Sequence, residues 1–218
     1  FPNTKWKKNN LGRGWVLGET LITGIGQGYI QSTPLQLCMM TAQIANGGYA
    51  IKPKIIVDNN PVSYEDAKQS MESGLLFDSD SETLLDKKLF KSQKNIKIVQ
   101  EAMFSSTNER FGTSYKSRID DPKYQFAGKT GTAQVKRISK RERELDLELE
   151  QIPYKDRDHA LYVAYGPYVN PRYALSIIVE HGGSGSKAAA PIAKKLFKLI
   201  IDRHDLRNEQ SNFERITV

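Results

Sequence analysis

Hydrophobic and polar positions repeat with different periods along the chain, and those periods predict an order of elements. The run LQLCMMTAQIA, between Thr33 and Asn46, is apolar almost all round. Thr33 suits a helix N-cap, Pro34 the first helical position, and Asn46-Gly47-Gly48 a stop. A helix over 34–45, buried within the domain and with layers above and below it, is therefore expected. Residues 49–57 (YAIKPKIIV) read as extended, and 58–95 as polar surface turns and short strands. Ile96, Val99 and Met103 share one helical face, which predicts a helix near 96–108 ending by Gly112. Strand-like stretches follow at 124–135, 159–165 and 172–181, the last two joined by GPYVNP, a hairpin turn. Ile192, Leu196, Leu199 and Ile200 then recur at helical spacing with Lys194, Lys195 and Lys198 opposite, which predicts a closing amphipathic helix. Three antiparallel strands with helices on both sides make an α+β fold, an antiparallel sheet sandwiched by helices.

Composition narrows the class. The 218 residues, 26% charged and 39% hydrophobic, are enough for a substantial core. A net charge of +7 favours an anionic partner such as nucleic acid, a lipid surface or a carboxylate substrate. The basic residues are scattered along the sequence and are not interleaved with aromatics, so no nucleic-acid partner is expected. The single Cys38 excludes an internal disulfide and a cysteine zinc site, and its apolar neighbours predict a buried structural thiol. None of the three histidines stands at a metal-ligand spacing, so neither metal nor other cofactor is expected. There is no 18-residue apolar run and no signal-type start, and no membrane contact is expected of this piece itself. The polar, irregular opening FPNTKWKKNN, without a methionine, suggests a fragment of something longer.

The most informative stretch is FAGKTGTAQV, residues 126–135. Gly128-Lys129-Thr130 resembles the end of a phosphate-binding loop, but that motif needs glycine where Lys123 stands and a helix after the threonine. The two threonines, Gly131 and Val135 instead make a strand carrying a lysine. Gly24, Gly26 and Gly28 likewise fail the dinucleotide fingerprint, which needs glycine where Tyr29 stands. Taken alone, Lys129 is an edge-strand charge that discourages aggregation.

GIGQGYIQSTPLQL, then KTGTAQV, then HALYVAYGPYVNPRYALSIIVEHGG ahead of a closing helix, resembles the transpeptidase domain of the class B penicillin-binding proteins. The wording resembles the branch of that family that serves cell elongation, over about residues 12–200. The family uses an S-x-x-K serine nucleophile, an S-x-N element and a K-T-G strand. The resemblance implies that Lys129 offers positive charge, and that Thr130 and Thr132 present hydroxyls to the terminal carboxylate of a D-Ala-D-Ala stem peptide or of a β-lactam. It implies that Gly131 lets substrate lie against the backbone, and that the Thr132 N–H is one oxyanion donor. It further implies a periplasmic location at the bacterial inner membrane, with an anchoring helix elsewhere, and elongation-machinery partners including a glycosyltransferase.

The chain departs from the family at the nucleophile. Ser184-Gly185-Ser186-Lys187 fits S-x-x-K, but lies after the Lys-Thr-Gly strand in a glycine-rich loop. Ser106-Thr107-Asn108 fits S-x-N, but only about twenty residues before Lys129. Chance produces such matches, and the expectation is a C-terminal part of a transpeptidase domain whose serine lies upstream. GIGQG is expected to shape the floor behind the cleft, and His159 and His181 to be structural. Residues 136–158, dense in both charges, form an insertion between two strands. It is either a solvated surface loop, mobile and dispensable for folding, or a loop flanking the cleft that meets a partner or charged polymer. Two functions stay open: the substrate side of a serine transpeptidase, or a non-catalytic module of that fold binding cell-wall peptides or morphogenesis partners.

Overall fold

The computed structural model describes residues 2–51, 53, 88–136 and 147–216, with side chains as far as Arg207. Five α-helices of eight or more residues occur among them: α1 Thr4–Leu11, α2 Leu17–Gly24, α3 Pro34–Ala45, α4 Gln93–Asn108 and α5 Ala190–Ile216. Strands β1 Ala127–Ala133, β2 His159–Gly166 and β3 Tyr173–Val179 form one antiparallel sheet in the order β1-β2-β3. The expectation of an α+β sandwich is met, with α5 on one face and α3 and α4 on the other.

Side chains alternate across a strand, and the two faces separate cleanly. Ala160, Tyr162 and Ala164 of β2 pack with Phe126, Ala189, Ala190, Ala193, Phe197 and Ile201 in a core without solvent exposure. Phe126 and Phe197 stack there with ring centroids 4.8 Å apart. Tyr165, Ala127 and Met103 form the opposite core, joined by Val163, Ala174, Ile44 and Phe104. Fully burying each such large side chain contributes roughly 1.5–3 kcal/mol.

α3 starts as expected. The Thr33 hydroxyl accepts from the Gln36 N–H at 3.2 Å, and the Gln36 carboxamide accepts from the Thr33 N–H at 2.8 Å, a reciprocal cap. Its expected burial is corrected. Only Thr41 is buried, while Leu35 is 55% and Met40 41% exposed. One side rests on β3, where the Cys38 thiol donates to the Ala174 carbonyl at 3.4 Å, and the other side is uncovered. Partial burial pushes the Cys38 thiol up from its ordinary pKa.

Three further elements depart from the expectation. The polar opening is not irregular: Asn3 caps α1 by accepting from the Trp6 N–H, and the Lys7 ammonium pairs with Glu19 of α2. That pair holds the Glu19 carboxyl below its usual range. Leu17–Gly24, for which the pattern predicted no element, form α2, and the Glu19 carboxylate accepts from the Val16 N–H across its first turn. The closing helix, expected from the pattern of 192–200, runs through 27 residues after a π-helical turn at Gly185–Ala189. Most of the extended reading of 49–57 lies outside the described residues, but Tyr49 bridges Lys88. Of the charged insertion, 137–146 lie outside them. Leu149–Gln151 and Tyr154–Asp156 form 3-10 turns, and Lys136 pairs with Asp156 at 3.1 Å.

Candidate active site

Among the described residues β1 pairs with a strand, β2, on one side only, and its other edge is free of strand pairing. Lys129 stands opposite Val163, Thr130 opposite Tyr162, Gly131 opposite Leu161 and Thr132 opposite Ala160. That register sends Lys129 toward the α3 and α4 side. It sends Thr130 and Thr132 toward the α5 side.

The acceptors on the free edge can be followed residue by residue. The carbonyl of Phe126 accepts from the Asn108 carboxamide at 2.9 Å, and that of Gly128 from the Thr107 hydroxyl at 3.5 Å. The Thr130 carbonyl accepts from the Lys129 ammonium at 2.7 Å, and the Thr132 carbonyl from the Gln27 carboxamide at 3.1 Å. In an antiparallel strand the N–H and C=O of one residue point the same way. The amides of Thr130 and Thr132 therefore lie on the free edge too. Polar side chains from α4 and from the loop after α2 hold this edge straight. Gln27 thus gives the GIGQG loop a function in bracing the strand that composition did not reveal.

Behind the strand lies a hydroxyl network. The Tyr162 hydroxyl is 2.9 Å from that of Thr107 and 3.1 Å from that of Ser114, and all three residues are buried. Burial raises the Tyr162 pKa, partly offset by those two hydrogen bonds. A Cβ on Gly128 would lie 2.3 Å from the Tyr162 hydroxyl, so the glycine before the lysine is a packing requirement. Gly131 is tight as well: its Cβ would meet that of Leu161 at 3.2 Å. Thr113 extends the network to the site, its hydroxyl 3.3 Å from that of Thr130.

The two motif matches fall apart in space. Thr107 and Asn108 of the S-x-N match are committed to Tyr162 and to the β1 edge, and Ser106 faces Thr113 at 3.2 Å. In the S-x-x-K match the Ser184 hydroxyl is 2.9 Å from that of Ser186, and Ser184 precedes the helical turn instead of sharing a helix face with Lys187. Gly185 lies against the strands, where a Cβ would come 2.4 Å from the Leu161 carbonyl. His159 and His181 are both tied to backbone: His159 Nδ1 accepts from the His181 N–H at 2.9 Å, and His181 Nδ1 is 2.9 Å from the Arg157 carbonyl. Among the described residues no cluster of His, Cys, Asp and Glu is suited to a metal.

An antiparallel sheet between helical layers, with Lys-Thr-Gly on an edge strand, is the architecture of the penicillin-binding and β-lactamase-like fold class. Within that class the chain belongs to the penicillin-binding protein transpeptidase domain family, whose sequence model matches residues 2–198. The peptidoglycan D,D-transpeptidase MrdA of Haemophilus influenzae is 31% identical over 217 residues, covering 97% of this chain and 30% of the relative. MrdA of Escherichia coli K12 is 29% identical over 214 residues, covering 93% of this chain and 29% of its own length. Among solved structures, Pseudomonas aeruginosa PBP2 in complex with WCK 5153 superposes with a TM-score of 0.67 at 33% identity, over 91% of this chain and 37% of that one. PBP2 of Helicobacter pylori, in complex with MreC, gives 0.63 at 30% identity, over 91% and 31%. The chain spans about a third of the length of these relatives.

Proposed function

We propose that the chain is the substrate-strand portion of a peptidoglycan D,D-transpeptidase, with the acylated serine supplied by polypeptide outside residues 1–218. The serine hydroxyl attacks the penultimate D-Ala carbonyl of a stem peptide, and its proton leaves with the terminal D-Ala amine. An amine of a neighbouring strand then takes the acyl group and returns the proton to the serine. A β-lactam enters by the same attack and remains as the ester. Lys129 sets a positive potential at the cleft, Thr130 and Thr132 hold the substrate carboxylate, and Gly131 leaves the backbone open to it. The Thr132 N–H stabilises the oxyanion.

The observation that carries this reading is the edge geometry of β1. Thr132 accepts from Gln27 on the side away from β2, so its N–H is directed where a substrate carbonyl would pair. A second feature supports an external serine. Lys129 borders a cavity of about 650 Å³ lined mainly by apolar side chains, including Met40, Ile98, Val99 and Phe111. Such a groove suits a packed helix bearing the nucleophile. PBP2 of Helicobacter pylori is solved in complex with MreC, which supports an MreC-like partner for the full protein. Action in elongation, a glycosyltransferase partner and a place at the periplasmic face of the inner membrane are part of the same proposal and rest on the family resemblance. No helix among the described residues is long and apolar enough to cross a membrane, so the proposed anchor is external to them.

The test is labelling with a fluorescent penicillin followed by peptide mapping, on the 218-residue chain and on the full-length protein. The expected result is no adduct on the chain alone and one on a serine of an S-x-x-K outside it. An adduct on Ser184 or Ser186 overturns the external serine, and a full-length protein without any adduct favours the non-catalytic module.

A further inference from the structure

Basic residues that the sequence scatters are gathered by the fold. A cavity of about 800 Å³ lies between the loop after α4 and the start of α5, and Arg110, Lys116, Lys187, Lys194, Lys195 and Lys198 line it. Among the described residues no Asp or Glu lines it. Asp202 and Asp205 of α5 are engaged elsewhere: Asp202 pairs with Lys123, and Asp205 with Lys123 and Arg172. Like charges around one hollow repel each other, and their field concentrates in the concave, low-dielectric space between them. A single small anion needs two or three such groups. Lys187 and Lys198 are eleven positions apart, about 16 Å along a helical path, which suits an extended ligand with several negative charges.

The position of the cavity decides its ligand. Thr113 lines it, and also lines the cavity bordered by Lys129, while its hydroxyl is 3.3 Å from that of Thr130. Ser186 and Lys187 bound the other side, next to Gly185, which lies against Gly131. The basic hollow is therefore continuous with the free edge of β1. A concave site beside the strand accommodates a chain lying along that edge better than it accommodates a flat lipid surface.

We propose that this cleft is an extended subsite for carboxylates carried by the peptide that occupies the β1 edge, so that the protein selects acidic peptide segments over neutral ones. This rests on β1 being the substrate strand, and the two are separable by experiment. The probes are fluorescein-Glu-Glu-Glu-D-Ala-D-Ala and its Gln-Gln-Gln counterpart, their binding to the full-length protein read by fluorescence anisotropy. At low salt, on the order of 0.05 M, the Glu peptide binds about tenfold or more tighter, and the preference fades near 0.5 M. Lys187→Glu combined with Lys195→Glu, both exposed positions, brings the two peptides to equal affinity without changing the Gln peptide. Lys129→Ala weakens both peptides alike and preserves their ratio.

Equal affinity of the two peptides for the parent protein overturns the subsite. So does a preference that survives the double charge reversal in a variant that melts like the parent. Capture by phosphatidylglycerol vesicles through the same two lysines, without any Glu preference, makes the patch a lipid surface and also overturns it. If Lys129→Ala leaves both affinities unchanged, the substrate-strand reading fails while the Glu preference stands on its own. Failure of both peptides to bind the parent overturns both.

Discussion

The two faces of the sheet are built from the same three strands, yet one is sealed and the other open. On the α5 face Phe126, Tyr162, Phe197 and Ile201 have no exposure. On the α3 and α4 face, Tyr165 and Met103 are buried but Met40, Ile98, Val99 and Phe111 stay exposed, Phe111 almost completely. Exposed apolar side chains taken singly are ordinary, but a contiguous set around a cavity marks a surface that something covers. Lys129 points to the open face, whereas Thr130 and Thr132 point to the α5 side beyond the sealed core, Thr130 half-buried and Thr132 exposed. The strand thus joins a rigid half, which fixes the geometry, to an unfinished half, where the proposed nucleophile is added.

The sealed face gives the largest effect. Phe197→Ala removes a ring stacked 4.8 Å from Phe126 and packed near Gly166, where a Cβ would come 3.0 Å from the Phe197 ring. A buried Phe→Ala change costs about 3–5 kcal/mol. Urea denaturation of this chain measures it, and a loss below about 1 kcal/mol would mean that the face is less closed than the packing indicates.

Lys129→Ala tests the open face through function. A lysine assisting a carboxylate in a partly desolvated cleft is worth roughly 1.5–3 kcal/mol. Penicillin acylation of the full-length protein should slow by about ten- to a hundredfold, with its melting temperature nearly unchanged because Lys129 is exposed. Thr132→Pro should be slower still, since it removes the edge N–H, and Thr132→Ala milder. Acylation of Lys129→Ala at the parental rate would reduce the lysine to an edge-strand charge.

What the sequence revealed follows from where its physics is local. The three strands, the α3 cap and the 96–108 helix face were legible because period, cap and turn residues lie within a few positions of each other. The Lys-Thr-Gly stretch was legible as a strand for the same reason, and as a candidate site only through its resemblance to the transpeptidase family. α3's exposed side was not, because an all-apolar helix looks the same whether its second neighbour is in the chain or outside it. Gln27 bracing Thr132, 105 positions away, and the basic cleft drawn from Arg110 to Lys198 depend on tertiary proximity that no local pattern encodes. α1 was missed because its stabilising pair joins Lys7 to Glu19 across a turn.

The boundary between the faces is probed by Thr107→Val, which keeps shape and deletes a hydroxyl. Thr107 is 2.9 Å from the Tyr162 hydroxyl and within reach of the Gly128 carbonyl. Tyr162 retains Ser114 at 3.1 Å, so the loss should be partial, about 1–2 kcal/mol. Stability is read by urea denaturation, and acylation by the full-length variant. An unchanged stability would show that Ser114 alone satisfies Tyr162.

The smallest effect is expected at Val99, and it tests the comparison most directly. Val99 is 40% exposed on α4 and borders the apolar cavity beside Lys129. If that face is open in the 218-residue chain, Val99→Ser exchanges one exposed side chain for another and shifts stability by no more than about 0.5 kcal/mol. The paired Ile98→Ser, at 52% exposure, should behave the same way. In the full-length protein the same groove is proposed to hold a helix, and a serine there would place a hydroxyl in an apolar contact at a cost of about 1–3 kcal/mol. The measurement is the urea midpoint of each variant in both chain lengths, with sedimentation velocity to detect self-association. A cost above about 1 kcal/mol in the short chain would mean that the face is already covered there, by a second copy if sedimentation shows a dimer, and the contrast between sealed and open faces would fail.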